Sequence, residues 1–177
     1  MSIRLSLDIS NLNEPILDRF LLAVEMVDPE LIMLDWAGQN SVCAEFKGSR
    51  PHDDMVRNVA GRYLHRLVTV YTCFHNNQVS KTIVHEYAHH LQWLNHCADS
   101  SGWVEFKHPS QEYLYNRWIE RVPPWAYARK NPVEMAADAF CVCHGYQLNW
   151  DVPIRFVQDW TVFFLDQPFF RDTFCTE

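Results

Sequence analysis

Apolar and polar positions alternate along Ile3, Leu5, Leu7 and Ile9, the period-two pattern of a strand with one buried face. The period then lengthens. Asn13-Glu14-Pro15 opens a helix whose Leu17, Phe20, Leu21 and Val24 form one apolar face, and Asp28-Pro29 ends it. Val42–Phe46 is expected as a short strand, and Asp53 or Asp54 as the cap of a helix running through Tyr63. The β-prone run Leu67-Val68-Thr69-Val70-Tyr71, within Leu67–Phe74, is expected as the next strand. Beyond it, Ile83, Val84, Tyr87, Ala88, Leu91 and Leu94 return to helical spacing, with Asn77 or Ser80 available as N-cap. Gln111–Val122 is expected as a short helix before Pro123-Pro124. Asn131 and Pro132 open another as N-cap and first helical residue. Asp151-Val152-Pro153 precedes a last helix with Phe156, Trp160, Phe163 and Phe164 turned inward. No repeat, linker or low-complexity segment interrupts this order. The expected architecture is α+β, a single domain over residues 1–177, with a small sheet packed on the helix after Leu67–Phe74.

That helix carries the chemistry. His85-Glu86-Tyr87-Ala88-His89 places two imidazoles four residues apart, close to one helical turn, so both leave the same face and can close on one metal ion. Zinc favours neutral imidazole nitrogen, and Glu86 is placed to polarise a metal-bound water. The competing interpretation is a polar helix surface with two solvated histidines.

A catalytic zinc takes a third protein ligand and keeps one position for water. The metzincin spacing would put that ligand six residues after His89, but the position is Asn95, and the glycine usual in that pattern is Gln92. His96 lies about 10 Å further along a continuous helix, from the ~1.5 Å rise per residue, and cannot reach the same ion. Glu134 is the better candidate. It also occupies the capping-box position three residues after Asn131, which would account for it structurally. Glu134 and Asp138, four apart, would repel by roughly 0.2–0.5 kcal/mol on one face unless a cation or a metal-bound imidazole sits opposite. Ala136, Ala137 and Ala139 permit close approach of a second helix.

With His-Glu-x-x-His on one helix and Glu-x-x-x-Asp on the next, the chain resembles the gluzincin branch of zinc metallopeptidases, a zincin-like fold. The Glu-x-x-Ala-Asp-Ala-Phe stretch is also similar to compact ImmA/IrrE-type peptidases. The resemblance implies Zn2+ held by His85, His89 and Glu134, Glu86 as general base, and Asp138 orienting a liganding histidine. It covers Thr69 to about Gln147. It further implies a Tyr or His near the developing oxyanion, for which Tyr127, Tyr113, Tyr115, His108 and His144 are candidates, Tyr127 foremost. Glu134 follows His89 by 45 positions, more than in the larger gluzincins, so an insertion is expected around residues 100–124. Its Trp103, Phe106, Tyr113, Tyr115 and Trp118, with Trp125 just beyond, would line a cleft or form a satellite core.

Composition narrows the alternatives. A net charge of −7 without a dense Lys/Arg run disfavours nucleic acid, and with it a SprT-type DNA-repair protease. No segment approaches the ~20 apolar residues of a membrane span, and Arg4 and Asp8 interrupt any signal-like run. Six scattered cysteines suit reduced thiols and a cytoplasmic location. Cys141-Val142-Cys143-His144 is expected as buried thiols rather than a second metal site, because residues two apart on a helix diverge. The aromatic tail Pro168–Phe174 is expected to pack on the core, or else to anchor a protein partner. Two function classes follow: a zinc-dependent peptidase acting on protein or peptide substrates, and a catalytically silent binding or structural protein with a peptidase-like fold. An intact Glu86 favours the first.

Overall fold

A computed structural model describes residues 5–27, 32–56, 58–96 and 108–167. It is α+β, and the chain forms two compact units, one up to His90 and one from Leu91.

The first unit holds a five-stranded sheet. Strands β1 (Leu5–Asp8), β2 (Ile32–Trp36), β3 (Gln39–Lys47), β4 (Gly61–Leu64) and β5 (Leu67–Tyr71) lie in the order β1-β2-β3-β5-β4. The β1/β2 and β3/β5 pairs are parallel; β2/β3 and β4/β5 are antiparallel. Helix α1 (Glu14–Val27) connects β1 to β2, and the Asn13 side chain accepts a hydrogen bond from the Ile16 amide at 3.1 Å. Leu17 and Phe20 of its apolar face are buried.

One expectation is corrected here, and one strand is added. The helix expected from Asp53 or Asp54 through Tyr63 stops early: α2 covers only His52–Val56, and Asn58 turns the chain at positive φ (53°). Tyr63 instead pairs with Val68 across a hairpin whose two turn residues, His65 and Arg66, both take positive φ (50° and 63°). Positive φ at both turn residues matches the right-handed twist of paired strands. Strand β2, which no pattern announced, pairs with β3 through a similar turn at Ala37 (49°) and Gly38 (78°). The Asp8 carboxylate accepts from the Ala37 amide at 3.0 Å and that of Asp35 from the Gly38 amide at 2.8 Å.

The long helix α3 (Asn76–His96) follows β5. Its first turn closes on His75, whose carbonyl accepts from the amides of Gln78 (2.9 Å) and Val79 (3.0 Å). Asn77 and Ser80, expected as caps, therefore lie inside the helix.

The described residues of the second unit form helices α4 (Pro109–Trp118), α5 (Pro132–Cys143) and α6 (Ile154–Asp166) beyond the end of the preceding helix. Phe156, Trp160, Phe163 and Phe164 are buried as α6's periodicity requires, and Trp118 meets Phe156 edge-on at 5.4 Å. The Trp118 indole donates to Asp159, which also pairs with Arg117 and Arg155. No described helix is long and apolar enough to cross a membrane. The expected features at Met1–Arg4, Asp28-Pro29, Cys97, Trp103, Phe106 and the tail Pro168–Phe174 lie outside the described residues.

Candidate metal centre

The residues of the His-Glu-x-x-His run are held by the fit of α3 to the sheet. Ile83, Val84, Tyr87, Ala88 and Leu91 are essentially inaccessible. The Tyr87 ring stacks on Trp36 at 6.3 Å, and its hydroxyl donates to the carbonyls of Gln39 (3.1 Å) and Asn40 (3.2 Å) across the β2/β3 turn. Burial raises the Tyr87 phenol above its ordinary pKa, so it stays a donor. On the other side, Gly61 brings β4 against the helix. A Cβ there would stand 2.5 Å from Cγ2 of Thr82, 2.9 Å from the Thr69 carbonyl and 3.1 Å from Cγ of Glu86. Only glycine permits that approach, which confines the Glu86 stem.

His85, Glu86 and His89 are themselves buried, at 8%, 7% and 6% exposure, which removes the solvated-surface interpretation. The two imidazoles meet edge-on with centroids 4.8 Å apart. His90 serves the core instead: its Nδ1 lies 3.2 Å from the Tyr63 hydroxyl, and burial lowers its pKa to about 4.

Helix α5 starts as expected. The Asn131 side chain accepts from the Glu134 amide at 2.9 Å, and Pro132 occupies the first turn. Ala136, Ala137 and Ala139 are buried. Gln92, a residue whose role no sequence pattern revealed, is 3% exposed and donates through Nε2 to the Val133 carbonyl at 3.1 Å. It ties the end of α3 to the first turn of α5, next to Glu134.

One ligand atom each from His85, His89 and Glu134 falls within 4.8 Å of the others. Donors of a tetrahedral ion at ~2.0–2.1 Å stand about 3.4 Å apart, closer than this spacing, and the group could hold a metal ion. Two imidazoles and a carboxylate are a donor set that suits a divalent ion of zinc's type. Among the described residues this is the one such group, and neither the Cys141–His144 cluster nor Glu86 belongs to it. Cys141 is buried, and the Cys143 thiol lies 3.2 Å from the Thr161 hydroxyl. Asp138, one turn beyond Glu134, is buried at 6% exposure.

The oxyanion candidates separate by their surroundings. The Tyr115 hydroxyl donates to the Arg129 carbonyl at 2.8 Å, His108 caps α4 by accepting from the Ser110 amide, and His144 packs against Phe140 with its pKa lowered by burial to about 4. Tyr113 lines a separate cleft of about 370 Å³ between α4 and α6. Tyr127 is exposed and shares Lys130 with Glu134: Lys130 Nζ is 3.4 Å from its hydroxyl and 3.6 Å from Oε1 of Glu134. Partial burial would lower the Lys130 pKa, but Tyr127 and Glu134 raise it overall, and the side chain stays cationic.

Comparison of the chain with protein-family models, curated proteins and solved structures found no match in any of the three. The fold and the convergence of His85, His89 and Glu134 therefore carry the functional argument.

Proposed function

We propose that the protein is a zinc-dependent metallopeptidase of the gluzincin type, acting on protein or peptide substrates. The observation that carries this is the grouping of His85, His89 and Glu134 with Glu86 held one residue along the same buried helix. Three protein ligands among the described residues, rather than four, suit a reactive centre rather than a structural one. When bound, zinc supplies Lewis acidity, making water nucleophilic at neutral pH and drawing charge from a carbonyl. Glu86 takes the proton of the attacking water and delivers it to the leaving amine. Asp138 accepts a hydrogen bond from a liganding imidazole, fixing its tautomer and orientation. Tyr127, exposed beside Lys130, is the candidate donor to charge developing on the scissile carbonyl.

The test separates binding from chemistry. Glu86→Gln is expected to retain one zinc per chain by elemental analysis, yet to cleave a peptide library at least ~10²-fold more slowly. Loss of zinc, or undiminished cleavage, would reject the role of Glu86. A zinc-loaded wild-type chain that cleaves nothing returns the protein to the binding class.

A further inference from the structure

Lys130 puts a positive charge beside the carboxylate of the candidate metal group. It stands one residue ahead of the Asn131 cap and four ahead of Glu134, so its side chain lies along the first turn of α5. Its Nζ is 3.6 Å from Oε1 of Glu134, 3.4 Å from the Tyr127 hydroxyl and 5.0 Å from the centre of that ring. An ammonium has three donors and no lone pair while it stays protonated, so it contributes nothing as a ligand. It either positions Glu134 or opposes a metal there.

Geometry decides between these. Charge-assisted N–H···O bonds that fix a carboxylate are about 2.7–2.9 Å long, and this contact is longer. The Lys130 side chain is 58% exposed against 12% for Glu134, so the lysine is the loosely held partner. The same ammonium also meets the Tyr127 hydroxyl and ring, so its contacts are shared between Tyr127 and the carboxylate.

We propose that Lys130 is a resident competitor for the Glu134 carboxylate and sets the metal affinity of this centre below what its ligands alone would give. The inference rests on the metal-site reading of His85, His89 and Glu134. An ion at ~2.0–2.2 Å from Oε1 of Glu134 comes within roughly 6 Å of the ammonium. Even with water-like screening, repulsion between a dication and a monocation at that distance weakens binding roughly tenfold.

The experiment measures Zn2+ affinity of the full chain by competition with a chromophoric chelator, for wild type, Lys130→Met and Lys130→Arg, at low and high salt. Lys130→Met is expected to bind roughly tenfold tighter at low salt, with the gain shrinking at high salt as the charges are screened. Lys130→Arg keeps the charge and is expected to stay near wild type. Equal or weaker binding by Lys130→Met, or a gain indifferent to salt, overturns the inference while leaving the metal site standing. Zinc uptake by none of the three chains overturns both.

Discussion

Helices α3 and α5 hold their polar residues in opposite ways. In α3, His85, Glu86, His89, His90 and Gln92 are all buried, and the helix is gripped from two sides, by Tyr87 against the β2/β3 turn and by Gly61 against Thr82 and Glu86. Its two imidazoles are related by the helical repeat itself. In α5, the position of Glu134 depends on an N-cap and on one hydrogen bond from Gln92 to the neighbouring Val133 carbonyl. A ligand pair set by spacing within one helix persists as long as the helix does. A ligand supplied from 45 residues away depends on separate contacts, each open to substitution.

The largest test of that contrast removes ligands from each helix in turn. His89→Ala and Glu134→Ala are both expected to lower zinc affinity by more than the roughly 100-fold that outer-shell partners are worth, measured by equilibrium dialysis. Wild-type affinity in Glu134→Ala alone would show that α5 takes no part in the site.

The next effect is on stability, through a histidine that α3 buries uncharged. Burial lowers the His90 pKa from 6.5 to about 4, against a backbone hydrogen bond with Asn40 that raises it and aided by Arg66. Below pH 6.5 the unfolded chain takes up the proton first, so stability is complete above that pH and is lost as pH falls towards 4. The loss amounts to ~3 kcal/mol for this residue, and His144, lowered to about 4 by its own burial, acts in the same direction. Urea denaturation at pH 7 and pH 5 is expected to show the fall, and His90→Gln to reduce it. A pH-independent midpoint between those values would contradict the buried neutral histidine.

The smallest expected effect sharpens the role of α5. Asp138→Asn keeps shape and removes charge, and zinc affinity is expected to drop by roughly 10–100-fold if the carboxylate orients a liganding histidine. A change in stability without a change in affinity would make Asp138 a core residue only.

What could be read from the sequence was local. The α5 start was legible because Asn-Pro is itself the cap, and α6 because four aromatics recur at the helical period. Strand β2 escaped because Leu34, Asp35 and Trp36 are buried in succession, leaving no alternation to detect. The β4/β5 hairpin escaped because His65-Arg66 takes a turn conformation usually marked by Asn-Gly. His85 and His89 were legible from their spacing and Glu134 from its helix. Gln92 and Lys130 were not, since a glutamine or a lysine in a sequence shows no sign of the carbonyl or carboxylate it meets only after folding.

Helix α3 runs unbroken through the point where one compact unit gives way to the other, at His90 and Leu91. The protein therefore cannot be dissected there by truncation. A fragment ending at His90 would carry His85 and His89 in its last turns, where carbonyls lose their intrahelical partners and the end frays. Two of the three residues of the candidate metal group would lose their placement although both were still present. Work on separate pieces would have to begin from cuts that leave the whole helix in one of them.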